Sequence, residues 1–198
     1  MTDRTIDDLY PEGVAELSAR HFTPVAVARR AAELLAPTPH HRVLDLGAGP
    51  GKLCIVGAAT TGAHFTGVEL RRHFVRAAIA ASSRLLLRNV HFIHADILDV
   101  EWRPYDSYYL FNPFAEHLIG SIDGTVDARP PMFNFYVDAV GRRLRVAPPG
   151  TRVVTYHGFG GHMPSGFRLA AREKAGSDEL ELWIREARAP GATRGRGR

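Results

Sequence analysis

At 198 residues and 45% hydrophobic content, the chain carries enough apolar material for one sizeable core, which excludes wholesale disorder. Its single cysteine, Cys54, excludes an internal disulfide; with no leader-like start and no uncharged apolar run near ~18 residues, the expectation is a cytoplasmic protein with no membrane partner. The net charge of +4 gathers in "RRHFVRAA", "GRRLRV" and the terminal "RGRGR", which reads either as a phosphate-attracting patch or as solvated helix faces, and by itself names no site.

In chain order, residues 1–40 are expected to form an N-terminal helical cap. Thr23 and Pro24 read as a cap and first turn, and Val25, Ala28, Ala32 and Leu35 share one helical face until Pro37 stops it. Short aliphatic, β-branched or aromatic runs bounded by Gly, Pro, Asn or Asp predict strands over 42–47, 64–70, 89–97, 107–114 and 151–158. Between them, Phe74, Ala78, Ala81 and Leu85 predict an amphipathic helix over 71–88, and Phe133, Val137, Val140 and Leu144 another over 131–146. "FRLAAREKA" and "ELELWIREA" flank the turn-like "GSD" and predict an antiparallel hairpin. A single domain is expected over 41–187, followed by a disordered basic tail over 188–198. Alternating strands and helices imply a doubly wound, mostly parallel α/β sheet, which binds ligands at the carboxyl ends of its strands.

The run "VLDLGAGPGKL" stands at the first of those ends. Three glycines at Gly47, Gly49 and Gly51 mark a turn where backbone approaches a ligand closely; the duller reading is a turn that only lets a helix pack on a strand. A phosphate-gripping P-loop needs G-x-x-x-x-G-K-[ST], and here the spacing is short and Leu53 replaces the hydroxyl. A dinucleotide turn needs G-x-G-x-x-G, and here one residue is missing.

Asp45-x-Gly47-x-Gly49-x-Gly51 resembles the first motif of class I S-adenosylmethionine-dependent methyltransferases. The resemblance continues at successive predicted strand ends: Glu69 with Leu70, Asp96 with Ile97, and "FNPF", Phe111 to Phe114. It implies a seven-stranded sheet of order 3-2-1-4-5-7-6 and S-adenosylmethionine as cofactor. Asp45 and the glycine turn would meet its methionine part, Glu69 its ribose hydroxyls, Asp96 its adenine amino group and Ile97 the adenine ring. Each residue also has a plainer reading, as a solvated strand end, a helix cap or a turn.

"FNPF" resembles a shortened form of the Asn-Pro-Pro-aromatic motif of amino-nitrogen methyltransferases. That resemblance assigns Asn112 to orienting the acceptor, beside the cofactor, and Phe114 to bordering it. With a single proline, Phe114 sits one place early for stacking on a planar base. Tyr10, His21, Phe22 and Thr23 are candidates to cover the cofactor, with a plain sheet-capping helix as the alternative. His91 and His94 lie three apart in a strand and face opposite ways, which argues against a metal pair; no metal is expected. His117, His157 and His162 are candidate bases or surface residues.

The 116–131 segment, with Asp123 and Asp127, follows "FNPF" and has turn composition, so it is expected to be the specificity loop. The chain has almost nothing outside the core fold to read bases, so a small molecule or a protein side chain is preferred to nucleic acid as acceptor. The expectation is therefore methyl transfer to an amino nitrogen. O- or C-methylation of a small metabolite and a noncatalytic cofactor-binding module are the alternatives.

Overall fold

The computed structural model describes residues 1–120 and 128–187, so the predicted tail and the acids Asp123 and Asp127 lie outside the described residues. The elements run α1 (Asp3–Asp7), α2 (Glu12–His21), α3 (Val25–Leu35), β1 (Arg42–Leu46), α4 (Lys52–Thr61), β2 (His64–Glu69), α5 (Arg72–Arg84), β3 (Val90–His94), β4 (Ser107–Phe111), α6 (Glu116–Ile119), α7 (Pro130–Arg145), β5 (Arg152–Tyr156), β6 (Phe167–Ala175) and β7 (Asp178–Arg185). One sheet carries them in the order β3-β2-β1-β4-β5-β7-β6, the order the sequence resemblance implied. The first five strands are parallel, and β7 runs antiparallel to both β5 and β6.

The two-residue side-chain period of a strand divides the core in two. Val43, Phe65, Tyr109 and Val154 join the cluster that includes Ala28, Ile55 and Phe74 of α3, α4 and α5. Their neighbours Leu44, Val68, Tyr108, Leu110 and Val153 join the opposite cluster, with Trp102 and with Val140 and Leu144 of α7. Both faces being covered, β1 needs near-continuous apolar residues, and four of its five are buried. Close packing of α4 on the sheet depends on Gly57, where an added Cβ would come within 2.4 Å of the Phe65 ring.

The strands end earlier than predicted, for a backbone reason. β4 stops at Phe111 because Asn112 takes φ 39°, and β5 stops at Tyr156 because His157 takes φ 55°; both values leave the extended region. Two helices precede the one predicted. α1 opens with a capping box between Thr2 and Thr5, and α2 follows Pro11. The 116–131 segment differs from an expected loop by being helical at both ends, in α6 and at the start of α7. Pro130 and Pro131 suit that start because a first turn has no acceptor for their missing N–H groups.

Candidate active site

The carboxyl ends of the parallel strands open on one cavity of about 470 Å³. Asp45, Gly47, Gly49, Glu69, Leu70, Asp96, Ile97, Asn112 and Phe114 all line it. Gly51 is not part of that lining: a Cβ there would come within 2.3 Å of the Phe92 ring, so this glycine serves the packing of α4 behind the turn.

At the β1 end, Gly47, Gly49 and Gly51 all have positive φ, at 84°, 54° and 79°, which is what the sequence spends three glycines on. Asp45 is buried under this turn and accepts from the Cys54 thiol at 3.5 Å, a weak donor. Burial pushes its carboxyl up to about 7, against the thiol contact and with a further push from the Glu69 charge. Burial likewise raises the Cys54 thiol well above its ordinary value. A carboxylate so short of donors suits a cationic ligand. Phe22 of the α2–α3 connection stands over the turn, 3.8 Å from where a Gly49 Cβ would be, and Thr23 hydrogen-bonds Tyr109 at 3.1 Å across the wall.

At the β2 end the Glu69 carboxylate is almost fully engaged. Its Oε2 accepts from the Gly49 N–H at 2.9 Å, and its Oε1 accepts from the Arg71 N–H at 2.8 Å and from Arg71 Nε at 2.9 Å. One lone-pair direction on Oε2 is left for a ligand hydroxyl; a second would require Arg71 to yield. Arg71 also reaches Glu116 at 3.1 Å. Past β3, Asp96 accepts from the Leu98 N–H at 2.8 Å and from the Tyr136 hydroxyl, and Ile97 is buried beside it. Burial is the largest cause raising the Tyr136 phenol, with the Asp96 contact next, so Tyr136 stays protonated and donates.

At the β4 end, Asn112 is exposed, with its N–H donating to the Gly158 carbonyl at 2.9 Å. Phe114 is committed to the interior: it is buried and stacks on Tyr136 at 5.2 Å, and His117 also stacks on Tyr136, at 5.1 Å. His157 lines the cavity and stacks on Phe111 at 5.4 Å, whereas His162 is exposed away from it. His94 contacts the Leu70 carbonyl at 3.0 Å. Among the described residues no group of three or more His, Cys, Asp or Glu is placed to hold a metal ion. Nor is any helix long and apolar enough to cross a membrane.

Sequence reasoning missed Lys52. Its side chain is 2% exposed and lines the cavity, and its ammonium donates to Asp3 Oδ1 at 2.6 Å, Asp7 Oδ1 at 3.1 Å and Ser18 Oγ at 2.7 Å. Asp3 also accepts from the Val25 N–H at 3.0 Å, capping α3 from a distance where Pro24 offers no side-chain cap. The available signal was the pair of acids four apart at Asp3 and Asp7, on one face of a short helix.

Residues 37–119 match the family model described as a methyltransferase domain. No curated protein matches the chain. Among solved structures it is similar to an RNA methyltransferase from Salinibacter ruber in complex with S-adenosyl-L-homocysteine, at 22% identity and TM-score 0.58, over 85% of this chain and 95% of that one. It is similar to TrmN from Thermus thermophilus at 19% identity and TM-score 0.65, over 87% of this chain and 52% of that one. A mutant of MtNAS in complex with S-adenosylmethionine aligns at 16% identity and TM-score 0.56, over 93% of this chain and 72% of that one. At such identities the likeness is one of fold.

Proposed function

We propose that this chain is a class I S-adenosylmethionine-dependent methyltransferase, a reading supported by the family match over residues 37–119 and by the strand order, and that it transfers the methyl group to an amino nitrogen of a small molecule or protein side chain. Asp45 would pair with the cofactor's ammonium, and the N–H groups of the glycine turn would face its carboxylate. Glu69 would take a ribose hydroxyl beside Leu70, Asp96 would meet the adenine amino group, and Ile97 would lie against the ring. Bound there, the cofactor supplies an electrophilic methyl on sulfur, so the protein's remaining task is to position a lone pair and exclude competitors.

The observation that carries the nitrogen reading is Asn112. A non-glycine residue at φ 39° is strained, and its N–H bond to the Gly158 carbonyl keeps it so, at the cavity wall where β4 ends. An amide side chain offers a carbonyl oxygen that accepts from an amine N–H while leaving the nitrogen lone pair free. Phe114 borders this region from beneath, through Tyr136, and does not offer a free stacking face.

The acceptor class is tested by incubating the protein with methyl-labelled S-adenosylmethionine and fractionated cell extract. Label in protein or in small amines is expected. An RNA acceptor is the second reading: the similar structure from Salinibacter ruber is of an RNA methyltransferase and is spanned over 95% of its length, so a chain of this size and fold is compatible with such an acceptor. Label in the RNA fraction alone would replace the first reading by the second.

A further inference from the structure

The β5 end and the β6–β7 turn build a hydrogen-bonded chain that the cofactor site does not use. His157 Nδ1 lies 2.9 Å from Asp178 Oδ2, and its Nε2 lies 3.0 Å from Ser177 Oγ. Ser177 Oγ is in turn 3.0 Å from the Tyr156 hydroxyl, whose oxygen accepts from the Ser177 N–H at 3.2 Å. Tyr156, His157 and Ser177 all line the cavity, on the side of Phe111 and Asn112.

The donors and acceptors fix the direction of this chain. A carboxylate only accepts, so the proton of a neutral His157 is on Nδ1, and Nε2 accepts from the Ser177 hydroxyl. Tyr156 then donates to Ser177 Oγ, which keeps one lone pair for a donor arriving in the cavity. Two backbone features hold the arrangement. His157 is kept at φ 55°, and Gly176 at φ 59° lets the turn close where a Cβ would come 3.0 Å from the Tyr156 hydroxyl. The strained pair His157 and Asn112 thus ends neighbouring strands at the same wall, joined by the Asn112 N–H to Gly158 carbonyl bond.

We propose that Ser177 and His157, with Asp178 as the positioning residue, form a proton relay that deprotonates the acceptor, and that the acceptor is therefore an alkyl amine that enters as its ammonium. This rests on the amino-nitrogen reading above. An ammonium has no lone pair to attack with. In the relay an acceptor N–H bond breaks and its proton passes to Ser177 Oγ, while the Ser177 hydroxyl proton passes to His157 Nε2. The freed lone pair forms the N–CH₃ bond as the S–CH₃ pair returns to sulfur, leaving a methylated ammonium, a neutral thioether and one proton on His157. The imidazolium is stabilised by Asp178, and with 33% of its side chain exposed it returns the proton to water.

The test follows label from methyl-labelled S-adenosylmethionine into the small-amine and protein fractions for wild type, His157→Gly and Ser177→Ala. Glycine tolerates the positive φ and leaves room for imidazole. His157→Gly should lose about a hundredfold in transfer, the usual scale for a positioned base, with cofactor affinity within a few-fold and partial rescue by added imidazole. Ser177→Ala should lose transfer without that rescue. In Asp178→Asn, nitrogen NMR should show the His157 proton redistributed from Nδ1. Wild-type rates in both His157→Gly and Ser177→Ala, with transfer by wild type intact, would overturn the relay alone. No label from wild type in any amine fraction would overturn the relay together with the amino-nitrogen reading.

Discussion

The Gly49 N–H donates to Glu69 Oε2 at 2.9 Å, so the turn after β1 and the acid at the end of β2 form one unit. A carboxylate that shapes the turn and, in the proposed reading, would also meet the ribose should matter twice. Glu69→Ala is expected to weaken S-adenosylmethionine binding by about 1.5–3 kcal/mol, the range for losing hydrogen bonds to a charged group, with a cooperative thermal transition retained. Calorimetric titration measures it, and NAD in the same cell should give no heat. Unchanged affinity would make Glu69 a support of the turn only.

The proposed pairing of Asp45 with the cofactor's ammonium would make binding depend on pH. The Asp45 carboxyl is raised by burial from 3.8 to about 7, and pairing with an ammonium requires the carboxylate. Affinity for S-adenosylmethionine should therefore fall about tenfold per pH unit below 7 and level off above it. The same shift acts on folding with the opposite preference. Between pH 3.8 and about 7 the folded state holds a proton that the unfolded chain has released, so this group's contribution to stability declines as pH rises across that window. Asp45→Asn should consequently unfold at a higher temperature than the free wild type at pH 8 while binding cofactor poorly. Equal melting temperatures at pH 8 would contradict the burial argument.

Lys52 fastens the N-terminal helices to the floor of the cavity. Lys52→Met should destabilise the protein by about 1–3 kcal/mol, below the usual cost of breaking a fully buried pair because Asp3 is 50% exposed and rehydrates. Amide exchange should quicken in α1 and α2 before it does in β1. Uniform exchange across the protein would show that the lysine carries global stability instead of anchoring the cap.

Much of this architecture was legible in the sequence because local rules carry it. Val43 to Leu46 read as a buried parallel strand, the three glycines as a turn, and "FRLAAREKA" with "ELELWIREA" as a hairpin, each from its own residues. What was not legible depends on contacts between distant parts of the chain. Nothing near Lys52 announces Asp3 and Asp7, and "GSD" read only as a turn until the sheet set Ser177 and Asp178 against His157. Asn112 and Phe114 were found together by motif, yet Asn112 is exposed and Phe114 is packed against Tyr136. Strand ends were overrun because Asn and His, though they tolerate positive φ better than most residues, do not require it, and so Asn112 and His157 did not mark the ends of their strands.

The central claim, that Asn112 positions an acceptor nitrogen for methyl transfer, is tested most directly by comparing Asn112→Ala with wild type in transfer of labelled methyl to the amine-bearing fraction. Removing one positioned polar group near a reacting centre should lower transfer by about two orders of magnitude, while S-adenosylmethionine affinity stays within a few-fold. Equal transfer by wild type and Asn112→Ala, at equal cofactor affinity, would contradict the claim.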